Sequence, residues 1–228
     1  PVRIVVAGDS TAEASGVGLV TWAAANPELA QVDIEAAPGC GFVRGGDVLV
    51  DENWRPVPDR CEGWLDDVLP GVAATASPDV VMLKTTSWDV LDHRWEPGEQ
   101  FSPLDPELRA AIERDFATVT DRLLDEGVGT VAWVMQPVPN PLWLDLGQTQ
   151  SEPERHQVLY ATMRELAAER PGRVEVVDLA GWLDATGYAT DADLRPDGVH
   201  WTPEASTRLA DEYLGEQLVR VALGLPRP

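Results

Sequence analysis

Five short runs of β-branched and apolar residues, at 2–7, 32–36, 80–84, 130–135 and 174–177, recur along the chain, each bounded by Gly, Pro or Asp. Runs of this length and punctuation read as strands. Between and after them lie helical patterns at 12–25, 64–75, 106–126, 154–169 and 203–223, with Pro153 and Pro203 where a first helical turn accepts proline and Gly127 just past a helix end. Strands that alternate with helices leave few choices, and the expected architecture is a parallel sheet covered by helices on both faces. Ligands of such sheets bind beyond the carboxyl ends of the strands. Two long irregular stretches, 38–59 and 88–103, follow strands and so rise over that edge, where they are expected to form lids or substrate walls. The 228 residues show no repeat, low-complexity tract or linker, so one domain over 1–228 is expected.

Chemistry gathers at the same edge. The first strand runs into Gly8-Asp9-Ser10-Thr11, which sets Ser10 at a strand-to-helix turn. Its hydroxyl then sits at the functional edge and its amide at a helix N-terminus, where a developing oxyanion is stabilised. Taken alone, a serine there reads first as a helix cap. Near the other end, Arg195-Pro196-Asp197-Gly198-Val199-His200-Trp201-Thr202-Pro203 precedes the last helix. A carboxylate three residues before a histidine in a tight turn can hold Nδ1–H and leave Nε2 to take a proton from a serine. Of the three histidines, His93, His156 and His200, only His200 has this neighbour; His156 lies in a charged helical stretch and reads as a surface residue. Asp9 as a phosphoryl-accepting carboxylate is set aside, because a second acid is wanted two residues later and Thr11 stands there.

Composition narrows the partners. With 39 acidic and 17 basic residues the formal net charge is -22, which repels nucleic acid and anionic headgroups. No stretch is apolar enough for a membrane helix, and no basic-then-apolar leader opens the chain. The start at Pro1, directly into a strand, is expected of a processed protein or of a domain cut from something longer. Cys40 and Cys61 are close enough to be bridged, which would place the chain outside the cytoplasm; two unrelated buried thiols are the alternative. Nine tryptophans are many, and Trp54, Trp88, Trp95, Trp143 and Trp201 fall in loops or at strand ends, where aromatic faces suit sugars and acyl groups or simply pack beneath loops. Trp88 and Trp201 adjoin the motifs and are the substrate-contact candidates, with Asp89 and Asp92 as partners for sugar hydroxyls. No metal cluster, phosphate loop or nucleotide fingerprint is legible, so no cofactor is expected.

The joint pattern, Gly-Asp-Ser after the first strand and Asp-x-x-His before the last helix, resembles the SGNH or GDSL-type hydrolase superfamily over essentially the whole chain. The resemblance implies a flavodoxin-like three-layer α/β/α fold around a five-stranded parallel sheet, with Ser10 as nucleophile, Asp197 as acid and His200 as base. That family's second block supplies an oxyanion-hole glycine, for which Gly41, and after it Gly39, is the candidate beside the Ser10 amide. Its third block carries an asparagine where this chain has Trp88 in Thr86-Ser87-Trp88-Asp89. The run from Thr86 to Trp95, with Gly39-Cys40-Gly41 and Cys61-Glu62-Gly63-Trp64, is similar to exported SGNH domains fused behind multi-helix membrane acyltransferases. This implies an acetyl or other short acyl group passed from the membrane partner to an extracellular sugar; the serine chemistry read above is expected to carry it through an acyl-Ser10 intermediate, with water as the rival acceptor. A domain that binds glycans without catalysis is the reading from a different class, motivated by Trp88.

Overall fold

The computed structural model describes residues 1–142 and 149–226. Its main sheet is built from β1 (Val2–Gly8), β2 (Ala30–Ala36), β5 (Val80–Lys84), β7 (Thr130–Met135) and β8 (Val174–Asp178), in the order β2-β1-β5-β7-β8. Every pairing is parallel. Among these five strands the order is 2-1-3-4-5, that of flavodoxin-like sheets.

Because successive side chains point to opposite faces, each central strand feeds two cores. Val5, Ala7, Val81, Leu83, Val131 and Trp133 join a cluster with α2 (Asp59–Gly63), α3 (Leu69–Ala76), α4 (Pro106–Asp125) and α5 (Pro153–Glu169). Ile4, Val6, Val80, Met82, Ala132 and Val134 join another with α1 (Ser10–Ala25), α6 (Leu179–Thr186), α7 (Pro203–Leu209) and α8 (Gly215–Ala222). Trp133 is fully buried, stacked on Phe116 at 4.5 Å, and its Nε1 donates to Thr120 Oγ1. Burial on both faces explains the near-continuous apolar runs.

The structure adds elements that the sequence pattern did not suggest. Within the two stretches expected to be irregular, β3 (Asp47–Val50), β4 (Asn53–Pro56) and β6 (His93–Arg94) pair antiparallel in the order β4-β3-β6. Asp51 and Glu52 turn the β3–β4 hairpin with φ of 48° and 62°, a two-residue turn with both positions left-handed. Cys40 and Cys61 form a disulfide, Cα–Cα 5.4 Å, at the base of this excursion. Helix α6 follows β8 at once, capped by Asp178, whose carboxylate accepts from Gly181 N. The helix expected at 64–75 begins earlier, at Asp59, and passes through a π turn at Trp64–Val68; that expected at 203–223 has a π turn at Ala210–Leu214. No helix among the described residues is long and apolar enough to cross a membrane.

Candidate active site

The carboxyl end of β1 is pressed against that of β5. Gly8 has φ 142°, and a Cβ there would sit 1.8 Å from Lys84 O. Only a glycine allows the approach. The next residue, Asp9, is 1 % exposed and caps α1: Oδ1 accepts from Thr11 N (2.8 Å) and Thr11 Oγ1 (2.6 Å), while Oδ2 accepts from Thr86 N (3.0 Å) beyond β5. Capping therefore falls to Asp9, which leaves the hydroxyl of the half-buried Ser10 at the first position of α1 for other use.

That hydroxyl meets His200. Ser10 Oγ lies 2.8 Å from His200 Nε2, and His200 Nδ1 lies 2.8 Å from Asp197 Oδ2. Asp197 Oδ1 accepts from the amides of Val199 (2.8 Å) and His200 (2.7 Å). Burial pushes the Asp197 carboxyl up, but the bonds from the His200 ring and the two amides outweigh it and hold the group below its ordinary value. With Asp197 ionised, the proton of the neutral imidazole belongs on Nδ1 and Nε2 is the acceptor. The loop carrying these residues is fixed from outside: Asn140 N donates to Gly198 O and Leu142 N to Asp197 O. Gly198, at φ 81°, leaves 1.7 Å between a would-be Cβ and Asn140 O.

Beneath the Ser10 turn lies Lys84, the only lysine of the chain and fully buried. Its Nζ donates to Thr11 O (3.0 Å) and Ser15 Oγ (2.6 Å), tying the end of β5 to the first turns of α1. Burial lowers its pKa to about 7; the Asp9 charge opposes that shift and Arg195 adds to it. A lone charged residue at the end of an apolar strand was the sequence signal for it.

Around Ser10 and His200 is a cavity of about 190 Å³, lined also by Val50, Asp51, Thr86, Ser87, Trp88, Leu91, Gln150 and Val199. Val50, Asp51 and Gln150 come from elements that the motifs do not reach. Trp88 is half-buried and lines this cavity, whereas other candidates stand elsewhere. Gly39 and Gly41 do not line it; they line a neighbouring cavity that shares Trp88. Trp201 is 6 % exposed, packed in the core with the Arg195 guanidinium 5.0 Å above its ring, so it offers no face to a ligand. Asp89 is fully buried: its carboxylate accepts from the amides of Phe42 (2.8 Å) and Val43 (2.9 Å) and from Thr85 Oγ1 (2.6 Å). Burial holds its pKa up at about 6 against those three bonds. It clamps the 40–43 backbone to the end of β5 and lines the neighbouring cavity, not the one around Ser10. Asp92 is likewise buried, in an ion pair with Arg155.

His156, read as a surface residue, is 1 % exposed, with Nε2 against Gln150 O at 2.8 Å. It shares the inner stripe of α5 with Leu159 and Met163. Trp54 lies under the Arg94 guanidinium, and Trp95 donates to Arg44 O; both serve the small sheet. Trp143 lies outside the described residues. Among those described, no group of His, Cys, Asp and Glu is arranged to hold a metal ion.

Comparison with known proteins gives one family: a model described as an SGNH domain (fused to AT3 domains) matches residues 1–215. No curated protein matches the chain. Among solved structures, a lipase/acylhydrolase from Enterococcus faecalis is similar over 100 % of this chain and 99 % of its own, at TM-score 0.60 and 19 % identity. The periplasmic domain of a lipopolysaccharide acetyltransferase from Salmonella ser. Paratyphi A matches 95 % of this chain and 83 % of its own, at TM-score 0.57 and 13 % identity. A carbohydrate acetylesterase family member from Sinorhizobium meliloti matches 99 % and 100 %, at TM-score 0.53 and 18 % identity. At these identities the structural likeness establishes the fold alone.

Proposed function

The chain belongs to the family of SGNH domains fused to AT3 domains, and from that membership we propose that it transfers a short acyl group through Ser10 to a hydroxyl of an extracytoplasmic carbohydrate. The observation that carries the reading is the line from Ser10 Oγ through His200 to Asp197, 2.8 Å at each step. It is the arrangement a serine nucleophile needs.

His200 Nε2 takes the Ser10 proton as Oγ attacks the carbonyl carbon of an ester donor, and the negative charge moves to the carbonyl oxygen. The Ser10 amide, first of α1, is the oxyanion donor built into the turn, reinforced by the helix dipole. As the ester C–O bond breaks, Nε2 returns the proton to the leaving oxygen, and an acyl-Ser10 remains. An acceptor hydroxyl then gives its proton to Nε2 and attacks the acyl carbon; Oγ leaves with that proton. Asp197, ionised, orients the imidazole and balances its transient charge throughout.

An AT3 domain of the same polypeptide or complex is the proposed source of acyl groups, in keeping with the family description and with the periplasmic setting of the Salmonella relative. The Cys40–Cys61 disulfide supports the same compartment. Water is the competing acceptor, because the side chains of His200 and Asp197 are 34 % and 37 % exposed; acceptance by water makes the domain an esterase.

The test follows p-nitrophenyl acetate turnover and intact protein mass together, for the wild type and Ser10→Ala. The expected result is nitrophenol release and an acetyl adduct, both lost in the variant. Equal release by the two proteins with no adduct overturns the assignment.

A further inference from the structure

We infer that Trp88 is the partition that ends the acyl pocket of Ser10 and confines it to acetyl-sized groups; this rests on the acyl-Ser10 reading above. Two cavities of about 190 Å³ each lie side by side, and among the described residues Trp88 alone lines both. The second has an apolar side, Val43, Val48, Val57 and Pro58, and a polar side where Arg55, Arg60, Asp89 and His93 also line it.

Strand β3 shows how they are arranged. Val48 lines the second cavity and Val50 the first. Residues two apart on a strand point to the same face and are spaced by about 7 Å. The cavities therefore follow one another along a single strand face, with the indole between them.

The partition is seated, not incidental. A Cβ on Gly39 would stand 3.7 Å from Trp88 Cζ2, and one on Gly41 3.1 Å from Trp88 Cβ, so the indole lies along backbone that carries no side chain. The residue after it, Asp89, is locked by bonds to Phe42 N, Val43 N and Thr85 Oγ1, which fixes the chain that presents the ring. Either cavity alone falls short of the range of about 300–1,000 Å³ usual for small-molecule sites, while the two joined would enter it. Alkyl carbons beyond an acetyl group meet the indole; without it they would reach the apolar part of the second cavity, at Val43, Val48, Val57 and Pro58, where each buried methylene is favourable.

The experiment measures kcat/KM for p-nitrophenyl acetate and hexanoate in the wild type, Trp88→Ala, Trp88→Phe, and Trp88→Ala combined with Val57→Trp. The wild type is expected to favour acetate. Trp88→Ala should raise the hexanoate-to-acetate ratio by about tenfold or more, Trp88→Phe by less, and the added Val57→Trp should return the ratio toward wild type by refilling the second cavity. An unchanged ratio in both single variants overturns the partition, and so does a raised ratio that Val57→Trp leaves in place. If Trp88→Ala does not fold, Trp88→Phe decides with the same readout. Ser10→Ala is run on both esters: hydrolysis that survives it counts against the acyl-serine reading, whereas a flat chain-length profile that depends on Ser10 counts against the partition alone.

Discussion

Asp9, one residue before Ser10, is 1 % exposed, and its carboxylate joins the first turn of α1 to the end of β5. Asp197, three residues before His200, has a side chain 37 % exposed whose bonds stay within its own loop. The nucleophile side is thus part of the core, and the base side is a surface loop latched by Asn140 and Leu142. On one side, damage to the site is damage to the fold; on the other, chemistry can be removed from a molecule that stays folded.

The largest expected effect separates the two. Asp197→Asn should lower ester turnover by roughly 10³–10⁴-fold through the wrong imidazole tautomer. Its thermal midpoint should move little, since an amide oxygen can still accept from Val199 N and His200 N. A large fall in both would erase the distinction. Next comes Gly8→Ala, expected to cost about 3 kcal/mol because its Cβ collides with backbone that two sheet strands hold in place. That is a drop of about 6–12 °C in melting temperature for a domain of this size. Retention of the wild-type midpoint would show that the β1–β5 junction yields.

The smallest effect concerns Lys84, whose pKa is about 7 in the fold and about 10.4 when unfolded. Between those values the unfolded chain binds the proton that the folded chain gives up. Stability from this group therefore rises with pH through that window and is least below pH 7. Lys84→Met should flatten the rise in denaturant midpoint between pH 7 and pH 9.5. An unchanged slope would mean that other groups set it.

How much of this was legible follows from how local each signal is. The central strands β1, β5 and β7 are buried almost throughout and show as short apolar runs, the edge strands β2 and β8 are only partly buried but are still marked by β-branched residues, and the Gly-Asp-Ser and Asp-x-x-His pairs each fall within a few consecutive residues. The small sheet was hidden because β3 pairs with residues more than forty positions away, and because its turn, Asp51-Glu52, lacks the glycine that usually marks a left-handed hairpin. Asp89 and His156 were misplaced for one reason. In so acidic a chain a charged residue defaults to solvent, and only the three-dimensional bonds of Asp89 to Phe42, Val43 and Thr85, and of His156 to Gln150, show that each is satisfied inside. Trp201 was read from its neighbour in sequence, His200, although adjacent residues need not share a face.

The burial of Lys84 has a consequence for a protein that handles activated esters. Every other side-chain cation of the Lys and Arg set is a guanidinium, which stays protonated and is a poor nucleophile. The native surface thus offers no lysine amine for a stray acyl group to capture. Acylation of the lone ε-amine becomes a clock for opening of the sheet, since it can proceed only when the end of β5 parts from the first turns of α1.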